Sequence, residues 1–310
     1  MNIIITGCLG HIGSYLIENL SKFKKLKKIY LLDNIANSKF TVLSKIKKDR
    51  KRKIFFYEDV SKPKYLFKIK KIDAVIHLAS TTNAQDSVND KKKYLENNLG
   101  SFNNILKYCM QNKAKLIHIS STSVYGDQNE YVDENSKFLN PQSPYADIKL
   151  KEEQLLIKNK RKLKYISLRF GTISGVSSGI RFHTAVNKFC LNTICNEPIP
   201  VWKTALNQYR PYLSLSDALK TFQFILHKDF FPNDIFNILS ENKTVNDILK
   251  SIRENGFKPK IKLTNSPIMN QLSYKVKKDK IKKYGLRLES KIEEDIKNTL
   301  KMFEGLKNDR

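Results

Sequence analysis

The sequence predicts an α/β protein with a Rossmann-type, doubly wound parallel sheet and a smaller interleaved C-terminal lobe. Three observations predict this fold: short apolar runs alternate with helix-like segments, three glycines follow the first run, and the alternation stops near residue 170. Apolar runs without a polar face are typical of strands that helices cover on both sides. A chain of 310 residues, 40% of them hydrophobic, is long enough to form both parts.

The individual strands and helices follow from the order of these runs. Strands are predicted at 2–6, 28–33, 53–58, 74–79, 115–120, 164–170 and 235–239. Helices are predicted at 11–23, 94–111 and 144–159, and a charged amphipathic helix at 291–306. Ser143 and Pro144 mark the start of the third helix, because serine caps a helix and proline fits its first position. This alternation is typical of parallel strands joined by right-handed crossovers.

Loops rich in glycine and proline after residue 170 indicate a second lobe. We therefore divide the chain into a Rossmann domain, residues 1–170 plus about 212–240, and a substrate-binding lobe, about 171–211 plus 241–310. No run approaches the roughly 18 apolar residues of a membrane span, and the N-terminus lacks a signal peptide's basic start. We expect a cytoplasmic protein without membrane insertion.

The net charge of +27, from 57 Lys and Arg against 30 Asp and Glu, raises nucleic acid as a partner. The basic runs at 22–28, 45–53, 158–164 and 275–283 are spread over several segments, which favours solvated lysine faces over a nucleic-acid site. Such a field would still steer an anionic substrate toward the protein. The four cysteines form no CxxC pair and have no histidine at zinc-finger spacing, so we expect neither a metal nor disulfides.

Gly7, Gly10 and Gly13 lie between the first strand and the first helix, where glycines let the backbone approach a pyrophosphate at a helix N-terminus. Asp33, twenty residues beyond Gly13 at the end of the second strand, is placed to accept hydrogen bonds from a ribose diol. Its charge would repel a 2′-phosphate, which favours NAD over NADP, and Lys39 would weaken that preference. A tight turn remains the alternative for the glycines. A loop residue or helix cap remains the alternative for Asp33.

After the third strand, Asp59 and Val60 are candidates for contacts with the adenine edge. A plain turn is the alternative there.

Tyr145 and Lys149 are four residues apart near a helix start, so both project from one face. Tyrosine has a pKa near 10, but a neighbouring ammonium and a positive nicotinamide ring would both favour the phenolate. Ser121 lies at the end of the fifth strand, on the rim where an open α/β sheet binds its ligands. An exposed tyrosine and a solvated lysine are the structural alternative.

These motifs resemble the extended short-chain dehydrogenases/reductases, the NAD-dependent epimerase/dehydratase group that acts on nucleotide-diphosphate sugars. The resemblance covers nearly the whole chain and includes TGCLGHIGS, LLDN, HLAS, SSTSVYG, SPYADIK, LRFGTISG and QYRPYLSLSDA. It implies that Tyr145 is the catalytic base and acid, that Lys149 lowers its pKa and binds the nicotinamide ribose, and that Ser121 hydrogen-bonds the reacting oxygen. It also implies further contacts with NAD, by His11, Ile12, Asn34, Leu78, Ala79, Ser80 and Asn97.

The resemblance also implies a site for the sugar nucleotide. Arg210 matches an arginine that binds the diphosphate, and Trp202 falls where relatives place an aromatic against the base, although a core tryptophan is the alternative. Arg181 lies in the substrate-side region, and Thr122 and Ser123 follow the catalytic serine. Dehydratases of the family carry an acid at these two positions, so the sequence disfavours a 4,6-dehydratase. Ser80 and Ile148 also depart from the common pattern.

The function that we expect is epimerisation of a nucleotide sugar, most simply at C4, through a transient 4-keto sugar. The alternative with the same residues is a nucleotide-sugar 4-dehydrogenase or 4-ketoreductase with net redox change. A protein that binds NAD without catalysis and uses a basic surface for RNA or a partner is a third interpretation, disfavoured by Ser121, Tyr145 and Lys149 together. The resemblance further implies a homodimer through the helices that follow the fourth and fifth strands.

Overall fold

The computed structural model describes residues 1–36, 39–46, 52–83, 86–128, 131–265, 273–303 and 305. Its strands are β1 (Ile3–Thr6), β2 (Ile29–Asp33), β3 (Lys53–Tyr57), β4 (Ala74–His77), β5 (Lys115–Ser121), β6 (Tyr131–Val132), β7 (Tyr165–Phe170), β8 (Thr172–Ser174), β9 (Ile199–Trp202), β10 (Tyr209–Ser214), β11 (Asp234–Ile238), β12 (Glu241–Thr244), β13 (Ile261–Thr264) and β14 (Lys275–Val276). Its α-helices are α1 (His11–Glu18), α2 (Thr41–Ile46), α3 (Asp86–Asn89), α4 (Lys91–Tyr94), α5 (Gly100–Asn112), α6 (Pro144–Lys158), α7 (Ala185–Ile194), α8 (Leu215–Lys228), α9 (Val245–Glu254), α10 (Asp279–Lys282) and α11 (Ile292–Met302).

The central sheet contains seven of the described strands, all parallel, in the order β3-β2-β1-β4-β5-β7-β11. Strands β1, β4 and β7 are buried along their whole length, as expected for strands with both faces covered. The order reverses between β1 and β4, and such a switch point opens a crevice at the carboxyl ends of the strands. The predicted Rossmann-type sheet is confirmed, and each predicted strand is present.

Helix α6, which carries two of the candidate catalytic residues, begins where the sequence predicts. The Ser143 side chain accepts a hydrogen bond from the Ala146 N–H, and Pro144 is the first helical residue. The cap fixes the first turn of the helix, and with it the position of Tyr145.

Two predicted helices are less regular than expected. The segment 94–111 passes from α4 through a π-helical turn at Leu95–Leu99 before α5 begins. In this turn Asn98 accepts a hydrogen bond from the Thr81 N–H (2.8 Å) and donates one to the Thr81 carbonyl (2.9 Å). The wide turn thus ties the helix to the loop after β4, as is common for π-turns near functional sites.

The predicted helix 11–23 also differs from the expectation. Helix α1 ends at Glu18 and is followed by a 3₁₀ turn, Leu20–Lys22. Residues 304 and 306 of the predicted C-terminal helix, and 47–51 of the second basic run, lie outside the described residues.

A second hydrophobic core belongs to the C-terminal part of the chain. Helices α7, α9 and α11 pack together around residues such as Val186, Ile248 and Ile296. Beside them lie a three-stranded sheet, β12-β10-β8, and the pair β13-β9. Ile281 and Leu286 instead join the core under the large sheet, so the chain returns to the first unit after β14. The proposed division into two domains stays a prediction.

The cysteines carry no disulfide, since all four are free thiols. Burial raises the pKa of Cys8, which lies beside the glycine turn, so its thiol stays protonated. Among the described residues, no group of three or more His, Cys, Asp or Glu side chains is arranged to hold a metal ion. None of the described helices is long and apolar enough to span a membrane.

Candidate active site

A cleft of about 1630 Å³ opens at the carboxyl ends of the central strands and extends toward the C-terminal lobe. All the candidate site residues line it: Gly7, Gly10, His11, Ile12, Gly13, Asp33, Asn34, Asp59, Val60, Leu78, Ala79, Ser80, Asn97, Ser121, Thr122, Ser123, Tyr145, Lys149, Arg181, Trp202 and Arg210. The fold therefore brings residues from distant parts of the sequence to one place. Their individual roles remain predictions.

The glycine turn brings β1, α1 and the end of β4 into very close contact. Gly7 has a φ of +62°, and a Cβ there would lie 2.6 Å from the Ala79 nitrogen. A Cβ on Gly13 would lie 2.6 Å from the Cys8 carbonyl oxygen. Gly10 is the N-cap of α1, and no side chain caps the helix. The N–H groups of its first turn thus remain for a ligand, and an anion suits them.

Asp33 ends β2 at the edge of the cleft, as the sequence predicts for a ribose-binding carboxylate. Its Oδ2 accepts a hydrogen bond from the Leu9 N–H (3.0 Å), and its Oδ1 accepts one from the Ile35 N–H (2.8 Å). Burial raises the pKa of Asp33, and these two hydrogen bonds lower it in part. The carboxylate is therefore fixed by the backbone and keeps lone pairs for a diol.

Lys39 lines the same cleft as Asp33 and is bound to backbone carbonyls. Its Nζ donates hydrogen bonds to the carbonyls of Gly179 and Ile180. Gly179 lies against the turn of α1, where a Cβ would be 2.6 Å from the Gly10 carbonyl oxygen. Lys39 thus connects the loop after β2 to the segment that packs over the glycine turn.

These features fit a dinucleotide. The glycine turn leaves no room for side chains, the N-terminus of α1 has no side-chain cap, and Asp33 stands at the end of β2, where a ribose is expected. Residues 7–13 would hold the pyrophosphate and Asp33 the adenosine ribose. The nicotinamide end would then approach Tyr145 and Lys149, which line the same cleft.

Tyr145 and Lys149 project from one face of α6, with the Lys149 Nζ 5.9 Å from the centre of the tyrosine ring. Burial and the negative charge of Glu152 raise the pKa of Tyr145. The positive charges of Lys149 and Arg181 and a hydrogen bond with Ser121 lower it. The pKa remains above its ordinary value in the chain alone. A further positive charge is needed before Tyr145 becomes a base at neutral pH.

Ser121 is oriented by the residues that follow it. Its Oγ accepts hydrogen bonds from the Ser123 Oγ (2.8 Å) and the Ser123 N–H (3.2 Å), which leaves its own proton to donate. The Thr122 hydroxyl instead donates to the Phe170 carbonyl (3.3 Å) and is buried. The arrangement gives one hydroxyl donor, Ser121, beside the phenol of Tyr145.

Several polar atoms in the distal part of the cleft lack a partner although they are buried. Among the described residues these include Nε of Arg181, Nε1 of Trp202 and Oε1 of Gln208. Trp202 is only 5% exposed. Buried donors and acceptors without partners are costly in a protein alone, so these three atoms are candidate contacts for a polar ligand. Arg210 lies nearby on β10, with its guanidinium 6.0 Å from the Tyr274 ring.

Sequence reasoning missed one group beside the candidate catalytic residues. Glu152 accepts a hydrogen bond from the Lys149 Nζ (2.8 Å), and His118 on β5 contacts the same carboxylate (2.9 Å). The spacing of three residues between Lys149 and Glu152 on a predicted helix was a usable signal. Nothing local pointed to His118, because it reaches Glu152 only through the packing of α6 on β5.

Sequence and structure comparisons identify relatives with known chemistry. A UDP-glucose 4-epimerase of Yersinia enterocolitica is 36% identical over 163 residues, which cover 50% of this chain and 48% of that protein. A dTDP-D-glucose 4,6-dehydratase of Dictyostelium discoideum is 31% identical over 270 residues, which cover 81% of this chain and 61% of that protein. The chain thus spans about half to three fifths of the length of these two relatives.

Solved structures show the same fold. The UDP-glucose 4-epimerase of Thermus thermophilus in complex with NAD superposes with a TM-score of 0.84 at 24% identity, covering 98% of this chain and 99% of that one. The dTDP-glucose 4,6-dehydratase of Streptomyces venezuelae, with NAD bound, gives 0.87 at 19% identity, with coverage of 98% and 97%. Residues 3–238 match the sequence model of the NAD dependent epimerase/dehydratase family. The chain therefore belongs to the NAD-dependent epimerase/dehydratase family.

Proposed function

We propose that the chain is a nucleotide-sugar epimerase that inverts C4 of the sugar through a transient 4-keto sugar. The observation that carries this proposal is the convergence of Ser121, Tyr145 and Lys149 in one cleft with a glycine turn that fits NAD. An epimerase of UDP-glucose is among the relatives above 30% identity.

The residues of the chain account for the proton chemistry. NAD, when bound in the cleft, supplies the acceptor and donor of the hydride and a positive ring charge. Tyr145 Oη then takes the proton of the C4 hydroxyl, and Ser121 donates a hydrogen bond to the same oxygen. Lys149 holds its positive charge beside the phenolate form of Tyr145, which accepts that proton and becomes a neutral phenol. After the sugar turns in the cleft, Tyr145 returns the proton to the oxygen.

The residues after Ser121 support epimerisation over dehydration. Elimination of water across C5 and C6 needs an acid and a base beside those carbons. The positions that follow Ser121 are Thr122 and Ser123, and their hydroxyls bond to Phe170 and Ser121. Neither residue supplies a carboxylate.

The distal cleft suits a nucleoside diphosphate. We assign the diphosphate to Arg210, with Arg181 as a second cation near the sugar, because a guanidinium forks onto two phosphate oxygens. We assign the base to Trp202, whose ring lines the cleft and whose Nε1 lacks a partner. The net charge of +27 would increase the rate at which such an anion arrives.

Product analysis tests the proposed reaction. Purified protein is given UDP-, GDP- and dTDP-hexoses, first without and then with NAD, and followed by proton NMR and by absorbance at 340 nm. We expect a C4 epimer without net NADH, and a much slower reaction in Tyr145→Phe. NADH that accumulates with a keto product would identify a dehydrogenase instead, and silence across the panel would contradict the proposal.

We also propose a homodimer through α5 and α6, the helices that follow the fourth and fifth strands. Their outward residues include Asn103, Lys107, Lys151 and Gln154, and Ile157 is 49% exposed. Light scattering after size exclusion should give twice the chain mass of 36.0 kDa, and Ile157→Glu should lower it. A wild-type mass of one chain at micromolar concentration would contradict the dimer.

A further inference from the structure

A buried network of charged and polar groups lies directly behind the catalytic lysine. Lys149 Nζ donates to Glu152 Oε2 at 2.8 Å, and His118 Nε2 lies 2.9 Å from the same oxygen. His118 Nδ1 is in turn 2.9 Å from the Ser167 Oγ. The side chains of Lys149, Glu152 and His118 are 4%, 1% and 0% exposed, so water does not screen these contacts.

The protonation states in this network follow from its contacts. Burial alone would raise the pKa of Glu152, but Lys149 and His118 lower it to about 2. Burial lowers the pKa of His118, and Glu152 opposes this only in part. A neutral His118 then donates from Nε2 to the Glu152 carboxylate and accepts from Ser167 at Nδ1. Glu152 is therefore negatively charged at neutral pH, and its contacts with Lys149 and His118 fix its position.

Glu152 and Lys149 act in opposite directions on Tyr145. The ammonium stabilises the phenolate, whereas the carboxylate destabilises it. The other charged and titratable groups around this pair are Glu153 on the same helix, His77 on β4, His118 on β5, and Arg181 in the segment before α7. Burial lowers the pKa of His77 to about 3, so that ring is neutral.

On the side away from the cleft, the network ends in the protein interior. Within the described residues it runs from Lys149 through Glu152 and His118 and ends at Ser167, which is fully buried. This suits a reaction in which the proton leaves and returns to one substrate oxygen, because no exchange with water is needed between the two halves. The role of Glu152 is thus electrostatic and positional.

We propose that Glu152, held by His118, is a positioning residue that fixes the Lys149 ammonium behind Tyr145. Its negative charge offsets part of the positive charge of Lys149 and so sets the pH at which Tyr145 can accept a proton. This inference rests on the proposed role of Tyr145 as proton acceptor. It adds Glu152 and His118 to the residues that determine the pH range of the enzyme.

The chain offers a matched control on the same helix. Glu153 follows Glu152 and is equally buried, but its carboxylate binds Arg169 through two hydrogen bonds of 2.9 and 2.7 Å and accepts one from Ser120 (2.6 Å). Glu152→Gln and Glu153→Gln therefore remove the same charge at the same depth. Only the first removes the negative charge that Lys149 contacts, and the glutamine amide oxygen can still accept a hydrogen bond from the Lys149 Nζ.

Titration of Tyr145 itself tests the proposal. Labelling tyrosine with ¹³C at Cζ gives resonances for the 14 tyrosines, and Tyr145→Phe identifies the one that belongs to Tyr145. The protein is titrated with saturating NAD and without a sugar, so the readout is not turnover. In Glu152→Gln we expect the Tyr145 midpoint to fall by about one pH unit, because the opposing charge is gone. The acid limb of kcat should move in the same direction, with little change in KM.

Two results would overturn the inference: a Tyr145 midpoint that is unchanged or rises in Glu152→Gln, or an equal fall in Glu153→Gln. Thermal unfolding and circular dichroism verify that each variant is folded. Should Glu152→Gln fail to fold, Glu152→Asp, which withdraws the charge by one methylene, must show a smaller fall in the same direction, and no fall would overturn the inference.

The outcomes separate this inference from the proposed function. A fall of the Tyr145 midpoint with no turnover of any nucleotide sugar contradicts the proposed function alone. If the wild type epimerises normally and the Tyr145 midpoint is the same in the wild type and in Glu152→Gln, only this inference is contradicted.

Discussion

At the scale of single residues, the chemistry depends on how the surroundings set the protonation of Tyr145. Burial raises its pKa, and Lys149, Arg181 and Ser121 lower it. The positive ring of bound NAD would lower the pKa of this phenol further, which suits a group that both takes and returns a proton. Ser121 contributes a donor whose direction is fixed by Ser123.

Tyr145→Phe tests the role of the phenol. Removing a general acid and base should lower kcat by about 10²- to 10⁴-fold, while NAD still binds and the protein still folds. Progress curves by NMR and a NAD binding isotherm measure the two effects. Tyr108→Phe is the matched control, because the Tyr108 hydroxyl donates to the Ile69 carbonyl (2.8 Å), and Tyr108 lines no part of the cleft. An equal loss of kcat in both variants would contradict the assignment.

At the scale of elements, α1 and the glycine turn form one tightly packed unit. A Cβ on Gly13 would lie 2.6 Å from two carbonyl oxygens, those of Gly7 and Cys8. Neither is the end of a flexible side chain, so the helix would have to shift away from the strand. In the proposed NAD site, the same packing would bring the N-terminus of α1 close to the pyrophosphate.

Gly13→Ala should therefore lower both stability and NAD affinity. Overpacking of this kind costs about 1–3 kcal/mol of unfolding free energy. Gly100→Ala is the matched control: Gly100 is helical, and its nearest neighbour to a new Cβ is 3.9 Å away, so alanine should be neutral or stabilise by up to about 1 kcal/mol. Denaturant unfolding and NAD titration measure both variants, and equal behaviour of the two would refute the packing argument.

Asp295 on α11 gives a second prediction at this scale. Its carboxylate accepts hydrogen bonds from Ser174 on β8 and Ser214 on β10, and burial raises its pKa to about 6. In the unfolded chain the pKa is about 3.9, so the folded protein binds this proton more tightly. The contribution of Asp295 to stability is full below about pH 4 and falls as the pH rises to 6.

Comparison with Asp295→Asn checks the direction of this pH dependence. The unfolding free energy of the wild type minus that of Asp295→Asn should decrease between about pH 4 and 6 and then level off. A difference that increases with pH would contradict the assignment.

The same elements show what the sequence could predict. Apolar runs predicted each strand of the central sheet, and Ser143 with Pro144 predicted the start of α6, because these signals are local. The π-helical turn at Leu95–Leu99 was missed, since it depends on Asn98 bonding to Thr81 in another segment. His118 was missed for the same reason: it lies 34 residues from Glu152.

At the scale of the whole molecule, the cleft joins two cores. Tyr145 projects from the unit built on the large sheet, and Trp202 ends β9 in the C-terminal part of the chain. The sequence placed the residues of both in one site by resemblance, but contacts such as Lys39 to Gly179, across 140 residues, required the fold. A ligand that spans the cleft should therefore change measurable signals from residues at both of its ends.

Fluorescence of Trp202, the single tryptophan, tests the distal end. Adding UDP, dTDP or GDP should change its emission and reduce quenching by acrylamide, because a base would cover the indole. NAD alone should change the emission less, since its predicted site is the glycine turn. If none of the nucleotides changes the fluorescence of Trp202, the assignment of the base is contradicted.

The central claim is that C4 is oxidised and reduced again within one closed cycle. The most direct test is the proton NMR spectrum of the product formed in ²H₂O from a substrate deuterated at C4. The account predicts a C4 epimer that retains the C4 label and carries no solvent deuterium at C5, because the hydride taken from C4 returns to C4 and C5 is never deprotonated. Loss of the C4 label would contradict the account. Deuterium at C5, which elimination and reprotonation would leave there, would also contradict it.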